Sequence, residues 1–169
     1  MILEIRKYGD PVLAKKAELV TEFDEGLQKL VDDMFETMYA APGVGLAAPQ
    51  VGVSKRLFIM DCSSGKNPDE RIVLVNPEIV VTEGRQNGDE GCLSFPGVYF
   101  QVERPQRVVA RAQSVRGEWF EIDAMELTAR CISHENDHLD GVVFLSYLSP
   151  LKRDLIKRKI RKRQKAGDW

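Results

Sequence analysis

The chain has 169 residues, 43% of them apolar and 30% charged. That is the size of one domain with a real core and a polar surface, and it excludes a collagen-like, mucin-like or largely disordered chain. The net charge is −2, yet residues 152–165 hold nine Lys/Arg and one Asp, against 15 basic and 25 acidic side chains in the other 155 residues. An acidic body with a basic end points to a polyanionic partner for that end, or to a segment that only keeps itself solvated.

The first residues, MILEIRKYGDP, carry Glu4, Arg6 and Lys7. They have neither the apolar stretch of a secretory signal nor the acid-poor look of a transit peptide, so a cytoplasmic protein is expected. No apolar run of about 18 residues exists to span a membrane. Cys62, Cys92 and Cys131 are an odd number, better read as reduced thiols or metal ligands than as a disulfide framework.

Asp10-Pro11 opens a turn inside an N-terminal arm. Residues 21–40 read as an amphipathic helix, with Leu27, Leu30, Val31, Met34 and Met38 on one face and Thr21 or Asp24 as its cap. Glu22, Asp24 and Glu25 sit where the helix dipole favours acids. Residues 41–53, APGVGLAAPQVGV, are too small and too rich in Gly and Pro for a regular element and read as a loop or short irregular stretch. Strands are expected at 56–62, 72–75, 78–82, 106–112 and 118–122. Asn76-Pro77 should break the second from the third, and Val115-Arg116-Gly117 should turn between the last two. Residues 85–89 read as a polar, Gly-containing turn. A second helix is expected over 125–139 with Gly141 just past its end, and a third from Ser149-Pro150 to Lys165. The fold class is α+β: one domain of mainly antiparallel strands around a central helix, with helices at both ends. Residues 1–169 are read as one catalytic domain, of which 149–169 form the basic C-terminal helix and tail.

The second helix contains His134-Glu135-Asn136-Asp137-His138. Residues four apart share a helical face, so both imidazoles can reach one metal ion, with Glu135 beside its water. These are the only two histidines in the chain. A catalytic site of this kind takes three protein ligands, so a third is needed. Cys62, Cys92, Cys131 and the carboxylates are the candidates. Cys62 ends an apolar run and reads as a small core residue. Cys131, three residues before His134, reads as pocket lining or core, since its short side chain would have to reach past a helical turn. Cys92 follows a turn and can approach from a strand, which favours it over Cys131 without excluding the latter.

Three segments, Gly43-Val44-Gly45-Leu46-Ala47-Ala48-Pro49-Gln50, Glu90-Gly91-Cys92-Leu93-Ser94 and the His134–His138 stretch, resemble in order and spacing the three motifs of peptide deformylases. The likeness extends over the whole chain and is similar to the bacterial form with a C-terminal helix. It implies an enzyme that removes formate from the N-formylmethionine of newly made proteins. Cys92, His134 and His138 would be the metal ligands, and Fe²⁺ the usual ion, with Zn²⁺, Ni²⁺ or Co²⁺ able to replace it. Glu135 would be general base and then acid as metal-bound water attacks the formyl carbon. Gln50 and the Leu93 N–H would hold the formyl oxygen. Val44 and Gly45 would line the substrate cleft, to which spacing adds Cys131 and Glu90. Glu90, two residues before Cys92, is also the preferred carboxylate for the second N–H of a ligand histidine, with Asp137 tying down a neighbouring loop. The likeness further implies that the last helix docks on the ribosome, where a +8 segment would meet rRNA phosphates. A monomer is expected.

The residue types suit that reaction. A formamide carbonyl is a poor electrophile, and a divalent ion supplies hydroxide near neutral pH. Glu135 can move the remaining proton to the departing amine, and two donors aimed at the oxyanion are each worth about a hundredfold in rate. Cys and two His do not choose among zinc, iron, cobalt and nickel. Two positions depart from the family: Ser133 stands where Gln is frequent, and Tyr99 where some members carry Arg. Two other classes compete, a general zinc peptidase and a non-catalytic module whose metal site is closed by a fourth ligand.

Overall fold

The computed structural model describes residues 1–169 and contains three α-helices and seven strands: α1 (Glu25–Ala40), β1 (Gly45–Ala47), β2 (Leu57–Asp61), β3 (Arg71–Glu83), β4 (Gln86–Cys92), β5 (Phe95–Arg104), β6 (Arg107–Gln113), β7 (Trp119–Met125), α2 (Glu126–Leu139) and α3 (Pro150–Lys165). Five strands form one antiparallel sheet in the order β1-β2-β3-β6-β7, while β4 and β5 form a separate two-stranded sheet. The α+β class expected from the sequence is the class observed.

The large sheet is covered on both sides. Phe58 and Met60 of β2 join Leu74, Val108 and Ala110 under Ala129, Ile132 and Leu139 of α2. Leu57 and Ile59, alternating with them, face Val31, Met34 and Met38 of α1. Alternate residues point to opposite faces, so a strand covered on both sides is apolar on both, as Leu57–Met60 are; the strand ends at the buried Asp61, whose carboxylate accepts from Tyr39, Ser63 and Gly65. Each fully buried Leu, Met or Phe contributes about 1.5–3 kcal/mol relative to exposure. A third cluster joins Ile156 and Ile160 of α3 to Phe95, Val98 and Val102 of β5. The basic helix is therefore attached to the domain along one face.

The helix starts follow from their caps. The Asp24 side chain accepts from Leu27 N at 3.0 Å and begins α1 four residues later than the periodicity alone suggests. Ser149 caps α3, with Pro150 in the first turn. Three expectations need correction. Residues 41–53 contain β1 and a 3-10 turn (Ala48–Val51), because Gly45–Ala47 pairs with Phe58–Met60. Asn76-Pro77 does not end a strand: β3 passes through it with a register shift against β6. Asn76 tolerates φ 50 because its side chain binds both Val20 N and Val20 O at 2.9 Å. Most consequential, residues 85–89 are not a turn. They enter β4, which pairs with β5, a strand the sequence pattern did not announce.

Gly141 follows α2 at φ +73, and a Cβ there would lie 2.7 Å from the Ala14 carbonyl oxygen. Both the left-handed backbone and the close approach require glycine. Gly141→Ala should destabilise the protein by about 1–3 kcal/mol in urea unfolding, with an unchanged m-value.

Candidate metal centre

Helix α2 runs between the two sheets and brings His134 and His138 to one face. Their Nε2 atoms lie 3.3 Å apart, and Cys92 Sγ lies 3.3 Å from His138 Nε2. The three donor atoms all fall within 4.8 Å of one another. Cys92 reaches them because the β4–β5 register slips after Gly91, turning the last residue of β4 toward the helix. Cys131 is not in this group. Its thiol packs against the Val44 carbonyl at 3.8 Å and touches Cys62.

The donors look inward for a reason. Glu90 Oε1 accepts from His134 Nδ1 at 2.5 Å, which leaves Nε2 for the centre of the group. Arg104 binds both Glu90 oxygens, at 2.6 and 3.1 Å, and reaches Asp137 at 2.6 Å and Ser133 Oγ at 3.3 Å. Arg130 adds a third contact to Glu90 at 2.9 Å, and the Tyr147 hydroxyl donates to Asp137 at 2.6 Å. Burial works against a charged Glu90, but the hydrogen bonds from His134 and Arg104 outweigh it and hold its pKa near 2. Glu90 thus lies behind His134 with both oxygens taken, although it borders the cleft. Arg104, Arg130 and Tyr147 escaped the sequence reading. Arg104 and Glu90 share a face only because of the β4–β5 hairpin, so the missing strand hid the missing partner.

The site has a built-in demand for positive charge. Burial opposes an imidazolium at His134, but Glu135, Cys92 and Glu90 overcome it and raise the ring well above its ordinary pKa. At His138 burial and the neighbouring His134 and Arg104 push the pKa well down, so it is a neutral lone-pair donor. A thiol and two converging imidazoles are the donor set of zinc, iron, cobalt or nickel, and three protein ligands leave a position free. The residues present therefore fit a divalent ion.

Glu135 faces the same space. Its Oε1 is buried without a hydrogen-bond partner, and burial pushes its pKa up to about 7. A Cβ on Gly45 would lie 2.8 Å from both Glu135 Oε2 and Cys131 Sγ. Only glycine lets β1 pass so close to the carboxyl group. Gln50 is fixed at its oxygen, which accepts from Ala47 N at 2.9 Å, so its NH₂ points to Ser94 Oγ (3.1 Å) and Cys92 Sγ (3.5 Å). Leu93 lies in the tight turn between β4 and β5, beside Cys92. These groups border a cleft of about 760 Å³ whose walls include Val44, Leu127, Cys131 and Tyr99. Tyr99 is 70% exposed and lies over Gly91, where a Cβ would meet its ring at 2.6 Å.

Glu90→Gln should cost roughly 3–5 kcal/mol at neutral pH, because it removes the buried charge that the two guanidinium groups share. A carboxylate with a depressed folded pKa stabilises above its unfolded value and loses that contribution as pH falls. The difference between the two proteins should therefore shrink from pH 4.5 toward 2 in denaturant titrations.

The chain matches the family described as polypeptide deformylase over residues 2–154. It is 59% identical to a peptide deformylase of Acidobacterium capsulatum, over all of this chain and 99% of the relative. Against that of Thermodesulfovibrio yellowstonii it is 50% identical over 95% and 97% of the two chains. A crystal structure of a peptide deformylase from Legionella pneumophila superposes with a TM-score of 0.92 at 47% identity, covering 99% of this chain and 98% of the other. That from Thermotoga maritima gives 0.83 at 44% identity, covering 89% and 99%. Family, fold and site motifs agree over the full length: the chain belongs to the polypeptide deformylase family.

Proposed function

We propose that this enzyme hydrolyses the formamide of N-formylmethionyl nascent peptides in the cytoplasm, acting as a monomer with one divalent ion held by Cys92, His134 and His138. Fe²⁺ is the proposed native ion, and Zn²⁺, Ni²⁺ and Co²⁺ suit the same donors. When bound, such an ion supplies a Lewis acid and brings the pKa of water toward neutrality. The observation that carries the reading is the buried Glu135 carboxyl with an unpartnered oxygen, set beside three converging donors and the Gln50 amide.

Glu135 takes the proton released as the oxygen of water adds to the formyl carbon. It delivers that proton to the methionine nitrogen as the C–N bond breaks, so that formate and a free amine leave. A carboxyl group whose pKa is lifted to about 7 can do both near neutral pH. Gln50 Nε2–H and the Leu93 N–H donate to the oxygen on which negative charge develops, and their fixed geometry costs no reorganisation. Gly43 and Gly45 let a peptide backbone approach β1 closely. Val44, Leu127 and Cys131 give the substrate side chain an apolar wall. Glu90, Arg104 and Arg130 hold His134 from behind, and Ser133, where Gln is frequent in the family, accepts from Arg104. The exposed basic face of α3 is proposed to meet ribosomal RNA phosphates.

Formate release from a formyl-Met peptide by anaerobically prepared Fe²⁺ or Ni²⁺ protein tests the reading. Glu135→Ala should lower kcat by about 10²–10⁴ with the metal content unchanged. A fully metallated native protein that releases no formate, or that cleaves unformylated peptides instead, would overturn it. Gly45→Ala should displace Glu135 and lower kcat by about 10², again with metal retained.

A further inference from the structure

One wall of the cleft lacks the support that a strand normally has. Gly91 pairs with Tyr99 and Cys92 with Phe95, so Pro96, Gly97 and Val98 face no residue of β4. Pro96 has no N–H, and Gly97 adopts φ +74. Pro96 and Gly97 nevertheless line the substrate cleft, two residues from the turn that carries Leu93. A looped-out segment at that place needs an external hold if it is to present one shape to a peptide.

That hold comes from the third helix. Arg163 Nη1 donates to the Pro96 carbonyl at 2.6 Å, the one side-chain hydrogen bond this segment receives. The guanidinium group is itself oriented, since Nη2 donates to Asp168 O at 3.0 Å and its Cζ lies over the Trp169 ring, 4.9 Å from the ring centre. Trp169 meets Phe95 edge to face at 6.4 Å and donates from Nε1 to Tyr8 O at 3.0 Å. The Tyr8 ring in turn stacks on Phe95 at 4.9 Å, and its backbone N–H donates to Ser94 O at 2.9 Å. Ile160 and Ile156, one and two turns earlier on α3, pack in the same cluster as Val98. Arg163, Trp169 and the two isoleucines thus converge on residues 95–98 and, through Tyr8, on Ser94.

We infer that Arg163 is a positioning residue for deformylation: through the Pro96 carbonyl it fixes the looped-out wall of the substrate cleft and so sets peptide affinity. It touches neither the metal donors nor Glu135, so its removal should act on binding and spare the chemical step. The inference rests on the deformylation reading of the cleft.

The test uses the metal-loaded full chain with Arg163→Ala, Arg163→Lys and, as a control, Arg161→Ala. Arg161 removes the same charge from the same helix without touching β5. Arg163→Ala should raise KM for a formyl-Met peptide about tenfold, the lower end of what losing a charge-assisted hydrogen bond does. Its kcat should stay within about twofold. Amide exchange should quicken in a fragment spanning residues 95–99 and nowhere else. Arg163→Lys should restore most of both, and Arg161→Ala should change neither. Unchanged KM and exchange in Arg163→Ala would overturn the inference. So would an equal rise in KM for Arg161→Ala, or a fall in kcat and metal content together with the melting temperature. Absence of formate release by the native protein would sink the deformylation reading instead, and the exchange measurement would still decide whether Arg163 holds the wall.

Discussion

The buried contact between Glu90 and His134 is the constraint on which the rest of the site depends. A histidine presents Nε2 to a shared centre only if Nδ1 is committed elsewhere, and Glu90 commits it. A carboxylate with 5% of its side chain exposed cannot stay ionised alone. Arg104 and Arg130 neutralise it, and Arg104 extends the network to Asp137 one helical turn further on. The network spans β4, β5 and α2. It therefore fixes the small sheet against the helix and, with it, the position of Cys92. The orientation of one imidazole and the docking of a two-stranded sheet are the same event.

Much of this was legible in the chain because the local signals are strong. Val31, Met34 and Met38 mark α1 by period alone, and all three are buried. Leu57 to Met60 of β2 are apolar because helices cover both faces. His134 and His138 are brought together by any α-helix, whatever its surroundings. Spacing pointed to Cys92 and Glu90, and resemblance to a family to Gln50 and Gly45; the structure brings all four around the same pair of histidines.

What stayed hidden depends on tertiary contacts. Strand β5 begins Phe-Pro-Gly, a sequence that locally favours a turn, and its strand character is imposed by pairing with β4. Without that hairpin Arg104 has no reason to be linked to Glu90, so the two residues that stabilise the buried carboxylate could not be named. Asn76-Pro77 looks like a strand end, and only the hydrogen bonds from its side chain to Val20 show why the strand continues. The basic helix reads as solvated by composition, because two isoleucines and one arginine do its attaching among many exposed cations.

The separation of the two sheets has a consequence for the order of events in the life of the chain. Gln50 comes from the segment after α1, Cys92 from a hairpin, and both histidines from a helix that follows all seven strands. No contiguous piece of the sequence holds all three donors without spanning from β4 to the end of α2. A ribosome making this protein therefore completes every strand before it supplies the first imidazole. The growing chain carries Gln50 and Cys92 early but brings the three donors together only at this late, long-range closure, the slow kind of contact in folding. Until then the polypeptide has no place where a metal ion could be held by all three donors.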